Sequence, residues 1–152
     1  MTRSMHRYLR GVLSAVIFSA SALLSACLRS TEAQPSLLQL AGSWSYSGEQ
    51  TSPVREILTG TLDISSESGM SFQGRLDIVG VNSQTNQSRA LGGLVSGTEQ
   101  ASNVIDFDAD VESNPRRHVG QLVADTITGT WVGASPNGVM SSGTFRAERE
   151  PR

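Results

Sequence analysis

Hydrophobic and polar residues alternate along most of the chain after residue 41, a period of two that is typical of strands with one solvent-facing side. Clusters of Gly, Ser, Asn, Asp and Pro separate the alternating segments. No stretch after Gly42 shows a convincing helical period. The pattern predicts eight strands, over residues 42–47, 55–65, 70–79, 88–98, 103–111, 117–124, 126–133 and 139–148.

A glycine followed two residues later by a large apolar residue recurs in these segments. Residues two apart on a strand share a face, so each copy places bare backbone beside a large side chain. Glycine inside a strand marks a bend or a close backbone approach, which a sheet needs when it curls closed. The alternative is compositional drift in a chain with 15 glycines. The copies are Gly42-Ser43-Trp44, Gly60-Thr61-Leu62, Gly74-Arg75-Leu76, Gly93-Leu94-Val95, Gly120-Gln121-Leu122, Gly129-Thr130-Trp131 and Gly143-Thr144-Phe145.

The predicted fold is all-β, an eight-stranded antiparallel up-and-down meander that closes into a small barrel over residues 40–149. Short strands with short connections favour a meander, and closure removes exposed sheet edges. The best hairpin chemistry lies at Asn137-Gly138, because both residues tolerate the positive φ of a tight turn.

The length and the charge of the chain limit its number of domains and its possible ligands. The 152 residues suit one domain plus a processed N-terminus, and a pI near 5.6 provides no basic surface for nucleic acid. Three of the twelve basic residues lie in the first ten positions, so removal of that segment leaves a more acidic body.

The N-terminus is predicted to be a signal peptide over residues 1–26. A basic start precedes an apolar, serine-containing run at 11–24 that is short for a transmembrane helix. The run ends in Leu24-Ser25-Ala26-Cys27, which resembles the lipobox of bacterial lipoproteins. That resemblance implies cleavage before Cys27 and its acylation, followed by a tether over 27–39. Leu28 follows instead of aspartate, which favours the outer membrane in a cell with two membranes. The alternative is an ordinary signal peptide with an incidental cysteine.

Gly42-Ser43-Trp44 resembles the Gly-x-Trp motif that opens lipocalins, and Gly129-Thr130-Trp131 is similar to avidin-type barrels. The lipocalin resemblance implies that an arginine near the barrel end, for which Arg146 is the candidate, packs over Trp44. It makes Gly42 and Arg146 structural residues. Two features depart from these families: the sequence leaves no room for the long lipocalin helix, and Tyr46 stands where biotin binders have asparagine. The resemblance therefore implies the architecture without biotin.

Four aromatic residues are candidates for lining a ligand cavity, since barrel mouths bind small apolar molecules. The alternative is that they fill the barrel, because eight strands enclose only side chains or one small ligand. The inward glycines leave this open, since they could make room for a ligand or for the aromatic rings. The four residues are Trp44, Tyr46, Trp131 and Phe145.

An acidic row over residues 106–112 is predicted to be a solvated outer face, with arginines as possible partners. Residues two apart on a strand lie about 7 Å apart, too far for several carboxylates to share one calcium ion. No metal or cofactor is expected. The row is Asp106, Asp108, Asp110 and Glu112, and the arginines are Arg75, Arg116 and Arg117.

His118 is the one histidine after the signal peptide and is expected at the surface or on an edge strand. The sequence contains no Gly-x-Ser-x-Gly elbow and no His or Cys cluster, so no catalytic residues are assigned and the protein is not expected to be an enzyme.

The favoured function is a lipid-anchored cell-envelope barrel that binds a small apolar ligand. The alternative is a structural or interaction lipoprotein that presents loops such as 81–87 to an envelope protein, or inhibits an exported protease.

Overall fold

A computed structural model describes residues 39–134 and 137–151. The predicted signal peptide, Cys27 and the tether through residue 38 lie outside the described residues. Among those described, no helix is long and apolar enough to cross a membrane. Eight strands and one 3₁₀ turn at Ala101–Asn103 are formed: β1 Gly42–Ser52, β2 Glu56–Ser68, β3 Ser71–Asn82, β4 Ser88–Gln100, β5 Val104–Val111, β6 Asn114–Val123, β7 Thr126–Ala134 and β8 Met140–Arg149.

The strands form one closed barrel in chain order, which confirms the predicted antiparallel meander. Each strand pairs with the next, and β1 closes the ring by pairing with β8, where Trp44 lies opposite Arg149 and Gln50 opposite Gly143. β1 extends to Ser52, five residues beyond its predicted end. It has a partner strand on both sides through Gln50, so backbone pairing overrides the turn preference of the Gly48–Pro53 segment.

The barrel interior is filled by the apolar positions that the alternation predicts. On β5, Ile105, Phe107, Ala109 and Val111 are buried, while the aspartates between them face outward. The same alternation holds on β7 and β8, where Trp131 and Phe145 are buried. The core is therefore a single packed cluster inside the ring of strands.

The recurring glycines permit close approach of neighbouring strands. A Cβ atom at Gly93 would lie 1.7 Å from the carbonyl oxygen of Asp110, and one at Gly143 would lie 2.1 Å from that of Glu49. A Cβ atom at Gly97 would lie 2.6 Å from both the carbonyl oxygen of Asp106 and the Phe72 ring. The glycines therefore permit close approach of the strands and packing of the aromatic rings.

One end of the barrel, here called the Trp44 end, is closed by Leu40, Trp44 and Arg149. The indole Nε1 of Trp44 donates a hydrogen bond of 2.9 Å to the Leu40 carbonyl oxygen. The Arg149 guanidinium lies 4.2 Å from the centroid of the Trp44 ring. The expectation that Arg146 packs over Trp44 is therefore wrong. Inward positions on β8 are odd-numbered, so Arg146 faces solvent and pairs with Glu148.

Candidate functional site in the barrel interior

An aromatic cluster lies in the middle of the barrel. The Tyr46 and Phe145 rings stack with centroids 5.9 Å apart, and Phe107 stacks on His118 at 4.5 Å. Trp131 tilts against His118 at 6.2 Å. Three of the four predicted candidates are thus brought together, whereas Trp44 belongs to the Trp44 end.

His118 is 1% exposed, so the expectation of a surface or edge histidine is wrong. β6 begins at Asn114, three residues earlier than predicted, and its inward positions run Arg116, His118, Gly120 and Leu122. The period of two on this strand was present in the sequence, but polar residues occupy two of its inward positions.

The hydrogen bonds of His118, together with its lowered pKa, indicate a neutral imidazole with its proton on Nδ1. Its Nδ1 lies 2.9 Å from the carbonyl oxygen of Arg116, so Nδ1 is the donor, and Nε2 accepts from the Tyr46 hydroxyl at 3.3 Å. Burial lowers the pKa of His118 to about 4. Burial also raises the pKa of Tyr46 above its ordinary value, and the pair is uncharged at neutral pH.

The other end of the barrel is polar inside and is here called the Arg116 end. Its buried polar residues are Gln50, Glu56, Arg116 and Ser141, and the half-buried Arg89 lies beside them. Arg89 forms ion pairs with Glu56 at 2.8 Å and with Glu112 at 3.2 Å. Arg116 lies with its guanidinium carbon 4.8 Å from the Trp131 ring centroid. This end therefore joins charged groups to the aromatic cluster.

Four polar atoms at the Arg116 end are buried without a hydrogen-bond partner among the described residues. They comprise one acceptor and three donors. Most buried polar atoms in proteins have a partner, and an unpaired one costs about 1–3 kcal/mol. The atoms are Gln50 Oε1, Arg89 Nε, Arg116 Nε and Trp131 Nε1.

Arg116, a possible partner of the acidic row, is buried inside the barrel, and Glu112 is the member of the row whose charge acts on it. Arg117, the next residue, faces outward and pairs with Asp106 at 2.7 Å. The hydrogen bond from Arg117 is the main reason that the pKa of Asp106 is lowered. Asp108 and Asp110 are exposed, so the row is an outer face as predicted. No group of three His, Cys, Asp or Glu side chains within residues 39–134 and 137–151 could hold a metal ion.

Of three cavities in the described part of the protein, the first reaches the aromatic cluster at Phe107. The first, here called the outer groove, has a volume of about 730 Å³ and is lined by residues of β2 to β6, among them Ser96, Asp106 and Arg117. The other two measure about 380 Å³ and 230 Å³. None of the three is lined by Trp44, Tyr46, Trp131 or Phe145. These four side chains therefore act as core in this structure.

No protein-family model matches the chain. No curated protein matches it either. Solved structures match the fold. One is the structure of EF1p2_mFAP2b bound to DFHBI. Its sequence is 13% identical to this chain, the TM-score is 0.60, and the match covers 73% of this chain and 94% of that one. A de novo designed fluorescence-activating β-barrel is 15% identical with a TM-score of 0.52, covering 72% and 93%.

A structural-genomics protein of unknown function from Bacteroides ovatus is 8% identical with a TM-score of 0.51, covering 73% of this chain and 42% of that chain. At these identities the matches show the fold alone. The chain is a small closed β-barrel of the architecture shared with these structures.

Proposed function

We propose that the protein is a non-catalytic binding barrel, held at the cell envelope by acyl chains on Cys27, that takes a small and mainly apolar ligand at its Arg116 end. In a cell with two membranes, the outer membrane is the proposed location. The observation that carries the proposal is the group of buried, unpaired polar atoms beside the aromatic cluster. Ligand sites characteristically combine an apolar wall with a few polar groups that fix orientation.

The aromatic wall of the proposed site consists of Tyr46, Trp131 and Phe145. Since these rings already fill the interior, a ligand would displace side chains at the Arg116 end instead of entering a preformed void. That a barrel of similar fold, EF1p2_mFAP2b, is bound to DFHBI supports ligand binding as a use of this architecture. Trp44 is left out of the site, because Leu40 and Arg149 enclose it at the other end.

Native mass spectrometry of the protein expressed from the full sequence and purified gently from envelope extract tests this proposal. We expect a reproducible additional mass on the folded protein, beyond the acyl chains. Trp131→Ala, which removes part of the wall, should abolish the additional mass, and the exposed Val132→Ala on the same strand should retain it. A folded protein that carries no additional mass in any preparation would contradict ligand binding.

The second candidate function is that of an interaction lipoprotein that binds an envelope protein or inhibits an exported protease. It is favoured by the packed interior together with the outer groove. Ser96→Arg would place a large side chain in this groove, and Thr130→Arg, at an exposed position of β7, is the matched control. Capture of one envelope protein by the wild type and by Thr130→Arg, but not by Ser96→Arg, is expected for this function. Equal capture by all three chains would exclude the groove as the contact surface.

A further inference from the structure

We propose that the Arg116 end is an anion site, and that the ligand carries a carboxylate group that binds Arg116 and the indole N–H of Trp131. This inference rests on the proposed ligand-binding function and specifies the chemistry of the ligand's polar end.

The first argument is the state of Arg116. Its side chain is 98% buried, since only 2% of its surface is exposed, and its Nε has no acceptor among the described residues. A buried charge without a partner is strongly unfavourable, and arginine remains charged even when burial lowers its pKa. The charges of Glu112 and Glu56 act on Arg116 from a distance, but no described side chain gives its Nε the direct acceptor that an anion would supply.

The second argument is the distribution of the nearby carboxylates. Glu56 and Glu112 both bind Arg89, one on each terminal nitrogen of its guanidinium. No ion pair within the described part of the chain reaches Arg116. The end thus contains one arginine whose charge is compensated by direct contacts and a second, Arg116, whose charge is not.

The third argument is the position of Trp131. The guanidinium carbon of Arg116 lies 4.8 Å from the centroid of the Trp131 ring, so the two unpaired donors belong to neighbouring groups. A carboxylate has two oxygens and can accept from both. The planar guanidinium fork also matches carboxylate geometry. Because Glu56 and Glu112 pair with Arg89, Arg116 leaves a single positive charge at this place, which matches a carboxylate better than a dianion such as phosphate.

The mouth of the barrel at the Arg116 end lies where β1, β3, β5 and β7 end and β2, β4, β6 and β8 begin. On β6, Arg116 lies two residues beyond Asn114 at this mouth and two residues before His118 in the aromatic cluster. A carboxylate entering from this side meets Arg116 before it meets the rings.

The test uses the indole N–H signals in a ¹⁵N NMR spectrum of the full-length protein in a nonionic detergent. The chain has two tryptophans, and Trp44 is an internal control because its N–H already bonds the Leu40 carbonyl oxygen. Benzoate is the probe, and benzamide is its uncharged counterpart of nearly the same shape. We expect benzoate to shift the Trp131 indole signal in a saturable manner, with no change at Trp44 and a much smaller effect of benzamide.

Variants then test whether the positive charge of Arg116 binds the probe. Arg116→Gln should weaken benzoate binding by about tenfold or more, because it removes a charge-assisted hydrogen-bond donor. Arg117→Gln is the matched control, because this neighbouring arginine faces outward and pairs with Asp106, and it should bind benzoate as the wild type does. Arg116→Lys keeps the charge without the fork and should bind with intermediate strength, so it serves if Arg116→Gln fails to fold.

The outcomes separate the two proposals. Equal shifts with benzamide and benzoate would overturn the carboxylate assignment and leave ligand binding intact. An additional mass in native mass spectrometry with no benzoate effect at Trp131 would do the same. A shift produced by chloride alone, which benzoate does not alter, would replace the carboxylate by an inorganic ion. Absence of any additional mass would contradict the proposed function itself.

Discussion

At the scale of single residues, the most informative group is the neutral His118, buried between Phe107 and the Tyr46 hydroxyl. Its position could not be predicted from composition, because histidine occurs both inside proteins and at their surface. The signal that could have located it is the alternation of Arg116, His118, Gly120 and Leu122 on β6. Two polar residues at the start of that series hid the inward face.

Because His118 is buried in its neutral form, we expect the stability of the protein to depend on pH. The pKa is about 4 in the folded protein because burial disfavours the charged ring, whereas the unfolded chain has a value of about 6.5. Above pH 6.5 neither state binds the proton. Between pH 6.5 and 4 only the unfolded state binds it, so the free energy of unfolding falls as the pH decreases through this window. The expected loss between pH 7 and pH 5 is about 2 kcal/mol.

Urea unfolding at pH 7 and pH 5 measures this loss. The variant His118→Phe cannot titrate at this position and keeps a ring against Phe107, so it separates the histidine from the carboxylates that also titrate in acid. If wild type and His118→Phe lose the same stability between the two pH values, His118 is not the group responsible.

Among single truncations, the truncation of Trp44 is expected to lower the free energy of unfolding most. The side chain is fully buried, and its indole N–H bonds the Leu40 carbonyl oxygen. Trp44→Ala should lower the free energy of unfolding by about 3–5 kcal/mol, the range for removing a large buried aromatic side chain. Leu94→Ala is the control, because Leu94 is 71% exposed and should change the melting temperature little. A Trp44→Ala variant that melts with the wild type would show that the residue is not core.

At the scale of the strands, alternation was sufficient to predict eight elements and the inward faces of strands such as β3 and β5, but not that of β6. It was not sufficient for their ends. β1 runs through a segment rich in turn residues, because β2 and β8 satisfy its backbone on both sides. Strand pairing of this kind is a property of the closed sheet and is not encoded in the local sequence. The start of β6 is a second example, because Arg116 lies inside this strand but before its predicted start.

The close approach of β4 to β5 leads to a prediction for Gly93. A Cβ atom there would lie 1.7 Å from the Asp110 carbonyl oxygen, a backbone atom that cannot move without shifting β5. Gly93→Ala should therefore destabilise the barrel by about 1–3 kcal/mol, the range for overpacking a tight interior. Ser96→Ala on the same strand faces outward and should be nearly neutral. Chemical denaturation of both variants gives the comparison, and equal stabilities would show that the strands can separate at no cost.

At the scale of the whole molecule, the recurring glycines and the pairing of β1 with β8 together allow the sheet to close into a barrel. The sequence predicted the barrel because a chain of short alternating strands must either close or expose its edges. The polar Arg116 end could not be predicted, because its residues come from β1, β2, β4, β6 and β8 and meet only in the closed form. Arg149 is a similar case, since its contact with Trp44 depends on which face of β8 is turned inward.

The lipid anchor is the remaining property of the whole molecule, and Cys27 is the residue that tests it. Several acyl chains on one residue hold a protein stably on a bilayer, whereas a single chain binds only marginally. Cys27→Ser should therefore move the protein out of the membrane fraction, measured by sedimentation of cell membranes and immunoblotting. Ser25→Ala keeps a small residue before the cysteine and should remain membrane-bound. Because Cys27 precedes the barrel strands, the melting temperature of any Cys27→Ser protein recovered in soluble form should match that of the wild type. If Cys27→Ser remains with the membranes to the same extent as the wild type, the lipobox interpretation is wrong.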